Sequence, residues 1–175
     1  VDQKNNILSE YMSIENSYSD KSKLKSWLDN VMKLPFGKEK GLNLDSLKEP
    51  GDVKNFINNL NDKMNEAVWG HFEAKKKIIE IMVQYITNPE SKGNCLGIWG
   101  PPGNGKTTLI KEGIAKAMDR SFVFISLGGA SDASFLEGHS YTYEGSIYGR
   151  IAQGLMKCDC INPIIYFDEL DKISD

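Results

Sequence analysis

Apolar residues in the first half of the chain recur every three or four positions, which is the period of an α-helix. This spacing predicts one helix over residues 23–32. It predicts a second helix after the Pro50-Gly51 break, with Asp52 at its N-cap, and a third that ends at Asn88-Pro89. Residues 1–20 are polar and weakly periodic, so we expect a flexible or marginal helical arm there. The core-facing side of the second helix would carry Val53, Phe56, Ile57, Leu60 and Met64.

The second half of the chain alternates short apolar runs with amphipathic stretches. The apolar runs at residues 95–99, 121–127 and 163–167 predict three strands, and residues 106–118 predict a helix after the first of them. Two further short helices are expected, one from Ser131 or Asp132 and one over residues 147–155. Such an alternation favours a mostly parallel α/β sheet preceded by an α-helical segment. We therefore divide the chain into a helical arm and linker, 1–50, and part of an α/β domain, 51–175.

Composition narrows the possible functions. The chain has 175 residues, enough for one domain with a core, and a net charge of −3, which gives no basic surface for nucleic acid. Its apolar runs are too short for a membrane span, and there is no signal-like start. Cys95 lies in an apolar run as a small core residue, and Cys158-Asp159-Cys160 lacks zinc-site spacing. We expect an intracellular protein, cytoplasmic or alternatively in the mitochondrial matrix, with no membrane or nucleic-acid partner.

Residues 100–107 read G-P-P-G-N-G-K-T, which fits the phosphate-loop pattern G-x-x-x-x-G-K-[ST]. In such a loop, backbone N–H groups point inward and surround phosphate oxygens. Lys106 would reach the β- and γ-phosphates, and the Thr107 hydroxyl would bind Mg²⁺. The residues predicted to bind the nucleotide here are Gly100, Pro101, Pro102, Gly103, Asn104, Gly105, Lys106, Thr107 and Thr108.

The last apolar run delivers two carboxylates at its end, in the stretch I-I-Y-F-D-E at residues 164–169. Asp168 would hold Mg²⁺ together with Thr107, and Glu169 would orient or deprotonate the attacking water. The loop and this acidic strand end together predict hydrolysis of ATP with Mg²⁺. Lys106 and Glu169 are the predicted catalytic residues.

Several other stretches carry a narrower resemblance. They read W-L-D at 27–29, L-P-F-G-K at 34–38, F-I-S-L-G-G at 124–129, G-H-S-Y-T-Y-E-G at 138–145, G-R-I-A-Q-G-L at 149–155 and D-E-L-D-K-I at 168–173. In combination, these stretches resemble the ATP-dependent Lon protease family, within the AAA+ class of ring ATPases.

The resemblance implies a homo-hexameric ring that hydrolyses ATP. Such a ring pulls unfolded or tagged protein substrates through a central pore into a serine–lysine protease chamber. Tyr143, with Glu144 beside it, falls where the family has the pore-loop aromatic that grips the polypeptide. Trp69-Gly70 falls where the family has Tyr-Gly beside the adenine, so Trp69 would pack on the base.

The chain also departs from the family pattern. Glu144 replaces an aliphatic residue, Tyr148 replaces a proline, and Val68 replaces a histidine. A carboxylate beside the gripping aromatic would weaken the grip on acidic substrates or mark a specialised pore. The stretch shown contains no sensor strand, arginine finger or serine–lysine pair, so we hypothesise a longer protein or completion of the site by partner chains.

Several of these residues also have a simpler, purely structural interpretation. Tyr143 would then pack on its own loop, Trp69 would pack at a helix junction, and His139 would make a structural hydrogen bond. The plain interpretations of the basic residues are a solvated helix face for Lys75, Lys76 and Lys77, a local cap or pair for Arg120 and a salt bridge for Arg150. The alternative functions are an AAA+ unfoldase without protease activity and a nucleotide-gated assembly module with little turnover.

Overall fold

The computed structural model describes residues 18–40, 49–88, 95–130, 132–139 and 148–173, together with Asn5 and Ser9. Its arrangement of helices around a small parallel sheet confirms the predicted α/β class. In chain order the elements are α1 (Tyr18–Val31), α2 (Pro50–Ala67), α3 (Phe72–Thr87), α4 (Lys106–Thr108) with its π-helical continuation (Leu109–Ala115, the π segment), β1 (Phe122–Ser126), α5 (Ser134–Glu137), α6 (Arg150–Leu155), β2 (Ile164–Asp168) and a final 3-10 turn (Leu170–Lys172).

Helix α2 begins earlier than its sequence indicates. Its N-cap is Glu49 and its first residue is Pro50, so the prediction of Asp52 as N-cap is wrong. Proline is favoured at the first helical position because its φ is already helical and it has no N–H to leave unpaired. Asp52 lies instead in the first turn, where a carboxylate interacts favourably with the helix N-terminus.

The larger core lies between α2, α3 and the π segment. Leu60 and Met64 of α2 are completely buried, as the helical period predicts. Gly113 of the π segment lies directly against Met64, since a Cβ added there would be 3.2 Å from the Met64 Cα. This glycine therefore allows a close approach of the two helices. The other buried members of this core are Ile78, Met82, Leu109, Ile110, Ile114 and Met118.

Strands β1 and β2 pair in parallel, with Phe122 opposite Ile164 and Ser126 opposite Asp168. One face of the sheet packs on the larger core through side chains such as Tyr166. The other face forms a second core of Val123, Ile125 and Leu127, covered by residues of α5 and α6. Each face of the pair therefore contacts a core, although Phe124 and Phe167 at its margin stay 50% and 42% exposed.

The predicted strand at residues 95–99 does not form in the described part of the chain. A strand exists only where a neighbour supplies partners for its backbone groups, and no described segment pairs with these residues. Ile98 still packs on the larger core, but Trp99 is 98% exposed. Cys95 is exposed as well, so its predicted place in the core is wrong.

The segment after α1 is bound to the loop that precedes β2. The Ile161 N–H donates to the Lys38 carbonyl (2.8 Å). The Asn162 side chain accepts from the Lys40 N–H (3.0 Å) and donates to the Lys40 carbonyl (2.8 Å), pairing both backbone groups of one residue. We call residues 38–40 the strap. The division of the chain at residue 50 stays a prediction.

Arg120 fixes the strap from the other side. Its Nε donates to the Lys40 carbonyl (3.2 Å), and its Nη2 donates to the Tyr85 hydroxyl of α3 (3.3 Å). The local cap or pair predicted for Arg120 is therefore wrong. A guanidinium has five N–H donors in a fixed plane, which lets it join segments that are distant in sequence.

Asp159 also binds the strap, through the side chain of Lys40. Its carboxylate accepts from the Lys40 ammonium (2.5 Å) and from the Ser121 hydroxyl. These two hydrogen bonds, with that from Lys40 the stronger influence, lower the pKa of Asp159 to about 2.

We predict that Asp159→Asn lowers the free energy of unfolding at neutral pH and that the loss shrinks in acid. The folded-state pKa lies below the unfolded value of about 3.9, so the stabilisation is present above that value and disappears as pH falls toward 2. Urea unfolding of both proteins from pH 7 to pH 3 measures this difference. Lys40→Met serves as the matched control and should be non-additive with Asp159→Asn. A difference that stays constant down to pH 3 would contradict the assignment.

Candidate nucleotide-binding site

Residues 100–105 form a turn that leads directly into α4. Gly103 and Gly105 have φ angles of 74° and 86°, a region that favours glycine. A Cβ at Gly103 would meet no atom within 4 Å, so the backbone there is open to a ligand. The loop therefore has the backbone shape and the following helix start that bind anions.

Lys106 holds its ammonium group inside this loop. Its Nζ donates to the carbonyls of Gly100 (2.9 Å) and Pro101 (2.8 Å), and Asn104 Oδ1 lies 3.5 Å away. These partners are all neutral, so the positive charge stays uncompensated by a carboxylate among the described contacts. A loop whose N–H groups surround a lysine ammonium is suited to bind the negative oxygens of a phosphate chain.

Thr107 lies over the face of the sheet that carries Asp168. Its hydroxyl is 3.4 Å from the Tyr166 hydroxyl of β2. Side chains two positions apart in a strand point to the same face, so Asp168 shares the face of Tyr166. A hydroxyl and a carboxylate on one side of the sheet are oxygen ligands of the kind that Mg²⁺ prefers, with water filling its other positions.

Glu169 follows β2 and is held by two side chains. Its Oε2 accepts from the Ser126 hydroxyl at the end of β1 (2.9 Å), and its Oε1 pairs with the Lys172 ammonium. The hydrogen bond from Lys172, and then that from Ser126, lowers the pKa of Glu169. The carboxylate is therefore ionised at neutral pH, which suits orientation of a water molecule better than strong proton abstraction.

The linker between α2 and α3, residues 68–71, lies beside the phosphate loop. A Cβ added at Gly105 would be 3.1 Å from the Val68 side chain. The His71 ring Nε2 is 2.9 Å from the Asn104 carbonyl oxygen. Trp69 is 90% exposed, so the interpretation of its ring as a packing residue is wrong. An exposed aromatic next to a phosphate loop is suitably placed for a nucleotide base, and this role stays a prediction.

The comparisons with known proteins agree with this geometry. Residues 96–175 match the AAA family, described as the ATPase family associated with various cellular activities. The chain is 38% identical over 163 residues to a Lon protease homolog of Acanthamoeba polyphaga mimivirus, covering 91% of this chain and 15% of that protein. It is 38% identical to Lon protease of Mycoplasma genitalium over 174 residues, 98% of this chain and 20% of that protein.

Lon protease 1 of Bacillus subtilis is also 38% identical, over 167 residues that cover 95% of this chain and 20% of that protein. The chain is a Lon-like AAA+ region. It spans about a fifth or less of the length of these curated relatives. Membership of the AAA class implies nucleotide binding, and the phosphate loop is the place in the structure that fits it.

Two residues of this Lon-like region were missed as parts of the site. His71 reaches the phosphate loop, although its sequence neighbours show no signal for this. Lys75 was predicted on a solvated face but is only 3% exposed. Its spacing with Ile78 and Met82, at i, i+3 and i+7, places it on the apolar face of α3, which is the signal that finds it.

Several predicted residues lie elsewhere or outside the described residues. Tyr143 and Glu144 fall in the undescribed stretch 140–147. The two ends of that stretch meet at an antiparallel bridge between Gly138 and Tyr148.

Arg150 has no described salt bridge. Its guanidinium lies instead over the Phe135 ring, at 5.4 Å from the ring centre.

No group of three metal-binding side chains occurs among the residues that the structure covers, and Cys158 and Cys160 are free. Over the same residues, every helix is too short or too polar to span a membrane.

Gly128 provides a test of the position of Glu169. A Cβ added at Gly128 would overlap Oε2 of Glu169, and the φ of Gly128 is ordinary, so alanine there displaces the carboxylate without backbone strain. If Glu169 orients water, Gly128→Ala should lower kcat for ATP hydrolysis by roughly tenfold or more and leave the Kd for ADP within about threefold. Gly97→Ala, where a Cβ meets no atom within 4 Å, is the control. Unchanged kcat would show that this position of Glu169 does not matter.

Proposed function

We propose that this chain forms the ATP-binding and ATP-hydrolysing motor module of a Lon-like ATP-dependent serine protease. One observation supports this most directly. The Thr107–Tyr166 contact at 3.4 Å brings the start of α4 onto the same sheet face as Asp168, directly before Glu169. The phosphate loop and the acidic end of β2, which the sequence predicts to act together in hydrolysis, are therefore connected through this contact.

In this proposal the phosphate loop receives the phosphates, and the Lys106 ammonium exchanges its carbonyl partners for β- and γ-phosphate oxygens. Mg²⁺, held through Thr107 and Asp168, would supply charge neutralisation at those phosphates. Glu169 would accept a hydrogen bond from the attacking water and so fix its direction. Ser126 and Lys172 occupy one acceptor position on each carboxylate oxygen, and each oxygen can accept a further hydrogen bond, so Glu169 can bind the water while both partners hold it in place.

The proposal places the nucleotide base at the linker. Trp69 exposes nearly its whole ring there, and Gly70, with a φ of 77°, takes a turn that other residues avoid. Aromatic faces stack on flat bases through area and shape, which suits adenine. Trp69 and Gly70 are therefore the proposed adenine contacts.

The proposal further assigns the chain to a homo-hexameric ring that acts on unfolded or tagged protein substrates. Tyr143 is the proposed pore aromatic, with Glu144 beside it. The bridge between Gly138 and Tyr148 supports this, because it brings together the two ends of the stretch that contains Tyr143. The relatives that carry protease names support the proteolytic assignment.

Binding and hydrolysis can be separated by two substitutions in the full-length protein. We expect Lys106→Ala to raise the Kd for ADP by more than about tenfold, because it removes the charge in the loop. We expect Glu169→Gln to leave that Kd within about threefold and to lower kcat by roughly a hundredfold. Asp171→Asn, in the same 3-10 turn, is the matched control. Normal turnover by Glu169→Gln would overturn the hydrolytic role.

Translocation can be tested with an unfolded protein such as casein. Tyr143→Ala should lower its ATP-dependent degradation by roughly tenfold while ATP hydrolysis stays within about threefold, because the grip is lost and the active site is not. Tyr143→Phe should keep activity, and Tyr141→Ala is the control in the same loop. ATP-dependent unfolding without peptide-bond cleavage by the wild type would indicate the unfoldase alternative. Full degradation by Tyr143→Ala would overturn the pore role.

A further inference from the structure

Four residues, Val68-Trp69-Gly70-His71, form the linker that joins α2 to α3 beside the phosphate loop. Its last residue, His71, has a left-handed backbone with φ 55° and ψ 38°. Non-glycine residues adopt this conformation at a cost, and they keep it where the surrounding structure holds them. At this position the side chain of His71 is directed to the phosphate loop.

The contact that His71 makes there has a defined direction. Its Nε2 lies 2.9 Å from the carbonyl oxygen of Asn104. A carbonyl oxygen only accepts, so Nε2 must carry the proton and donate it to the hydrogen bond. Asn104 is a loop residue between Gly103 and Gly105, so the bond reaches the part of the loop that surrounds the phosphates.

The other end of the linker is fixed by a buried lysine. The Lys75 Nζ donates to the Val68 carbonyl (2.6 Å) and to Asn65 Oδ1 (2.9 Å), and the residue is 3% exposed. Buried polar groups of this kind hold their partners strongly because a broken bond would leave them unpaired. Val68 is therefore held on the helix side of the linker, and its side chain lies beside Gly105 of the loop, 3.1 Å from where a Cβ of that residue would be.

Between these two fixed ends the Trp69 side chain stays 90% exposed. An aromatic ring held on a fixed backbone, but with a free face, binds a flat ligand with little loss of side-chain freedom. The loop and the ring would thus form one preorganised surface, provided that the linker is tied to the loop. His71 supplies that tie.

We propose that His71 is a positioning residue that joins the base-binding linker to the phosphate loop, so that adenine and phosphate groups are recognised together. It touches neither group itself. The proposal rests on the proposed function, in which ATP binds at this loop.

The test compares ADP with inorganic triphosphate, which has no base, as ligands of the full-length protein in calorimetry. His71→Ala should raise the Kd for ADP by about three- to tenfold, the effect of one hydrogen bond, and leave the Kd for triphosphate within about twofold. His71→Gln, whose amide nitrogen can donate from a similar position, should restore ADP binding. His139→Ala, a change at the chain's other histidine, is the control and should change neither value.

A double-mutant cycle locates the effect. If His71 acts through the linker, Trp69→Ala and His71→Ala should be strongly non-additive for ADP, since either change alone already removes the base contribution. Lys106→Ala should instead weaken ADP and triphosphate alike. A thermal midpoint for each variant separates these changes in affinity from a general loss of stability.

The outcomes separate the two proposals. An equal rise in both Kd values for His71→Ala, no rise at all, or simple additivity with Trp69→Ala would overturn the role of His71 and leave ATP binding in place. A wild-type protein that binds neither ligand, or a Lys106→Ala variant that binds both normally, would overturn the proposed function and the role of His71 with it.

Discussion

The close approach of α2 to the π segment is the contact on which the rest of the site depends. At Gly113 there is no side chain, and completely buried Met64 fills the space. The carbonyl of the same methionine accepts the N–H of Val68 (3.2 Å), which ends the helix. One residue therefore sets both the distance between α2 and the helix after the phosphate loop and the point at which the linker begins. A larger residue at Gly113 would move the linker away from the loop.

The sheet positions the second half of the site by its register. Because Ser126 is opposite Asp168, the polar residues of both strands come together at one edge, the carboxyl end where ligands of parallel sheets bind. The Tyr166 ring packs on Phe124 and Phe122, with ring centres 5.9 and 6.0 Å apart, and its hydroxyl extends to Thr107. Ring packing between β1 and β2 thus positions the Tyr166 hydroxyl for its contact with Thr107, which links β2 to the start of α4.

Local patterns predicted the parts of the molecule that depend on local physics. The helical period identified Leu60 and Met64 as core residues, because a face of α2 needs only its own repeat to be recognised. The phosphate loop and the acidic end of β2 were likewise recognisable from contiguous residues. The AAA+ class came from the further stretches that resemble the Lon family, and it agrees with the family match.

The sequence did not predict the structure correctly where a residue's conformation or contacts depend on a partner distant in the sequence. Residues 95–99 have the composition of a strand but no described neighbour with which to pair. Arg120 hydrogen-bonds to Lys40 and Tyr85, and the residues that surround it in the sequence do not predict either partner. His71 is similar, since its loop contact exists only because the linker between α2 and α3 lies beside the phosphate loop.

The buried Lys75 has a consequence for how the linker responds to its surroundings. Burial lowers the pKa of this lysine, which brings the neutral amine closer to physiological conditions than for a surface lysine. Its two described acceptors, Asn65 Oδ1 and the Val68 carbonyl, need two N–H donors, and a neutral amine still has two. Loss of the proton would remove the charge but keep both bonds. The linker therefore keeps both attachments to α3 in either protonation state, and they are stronger while the lysine is charged.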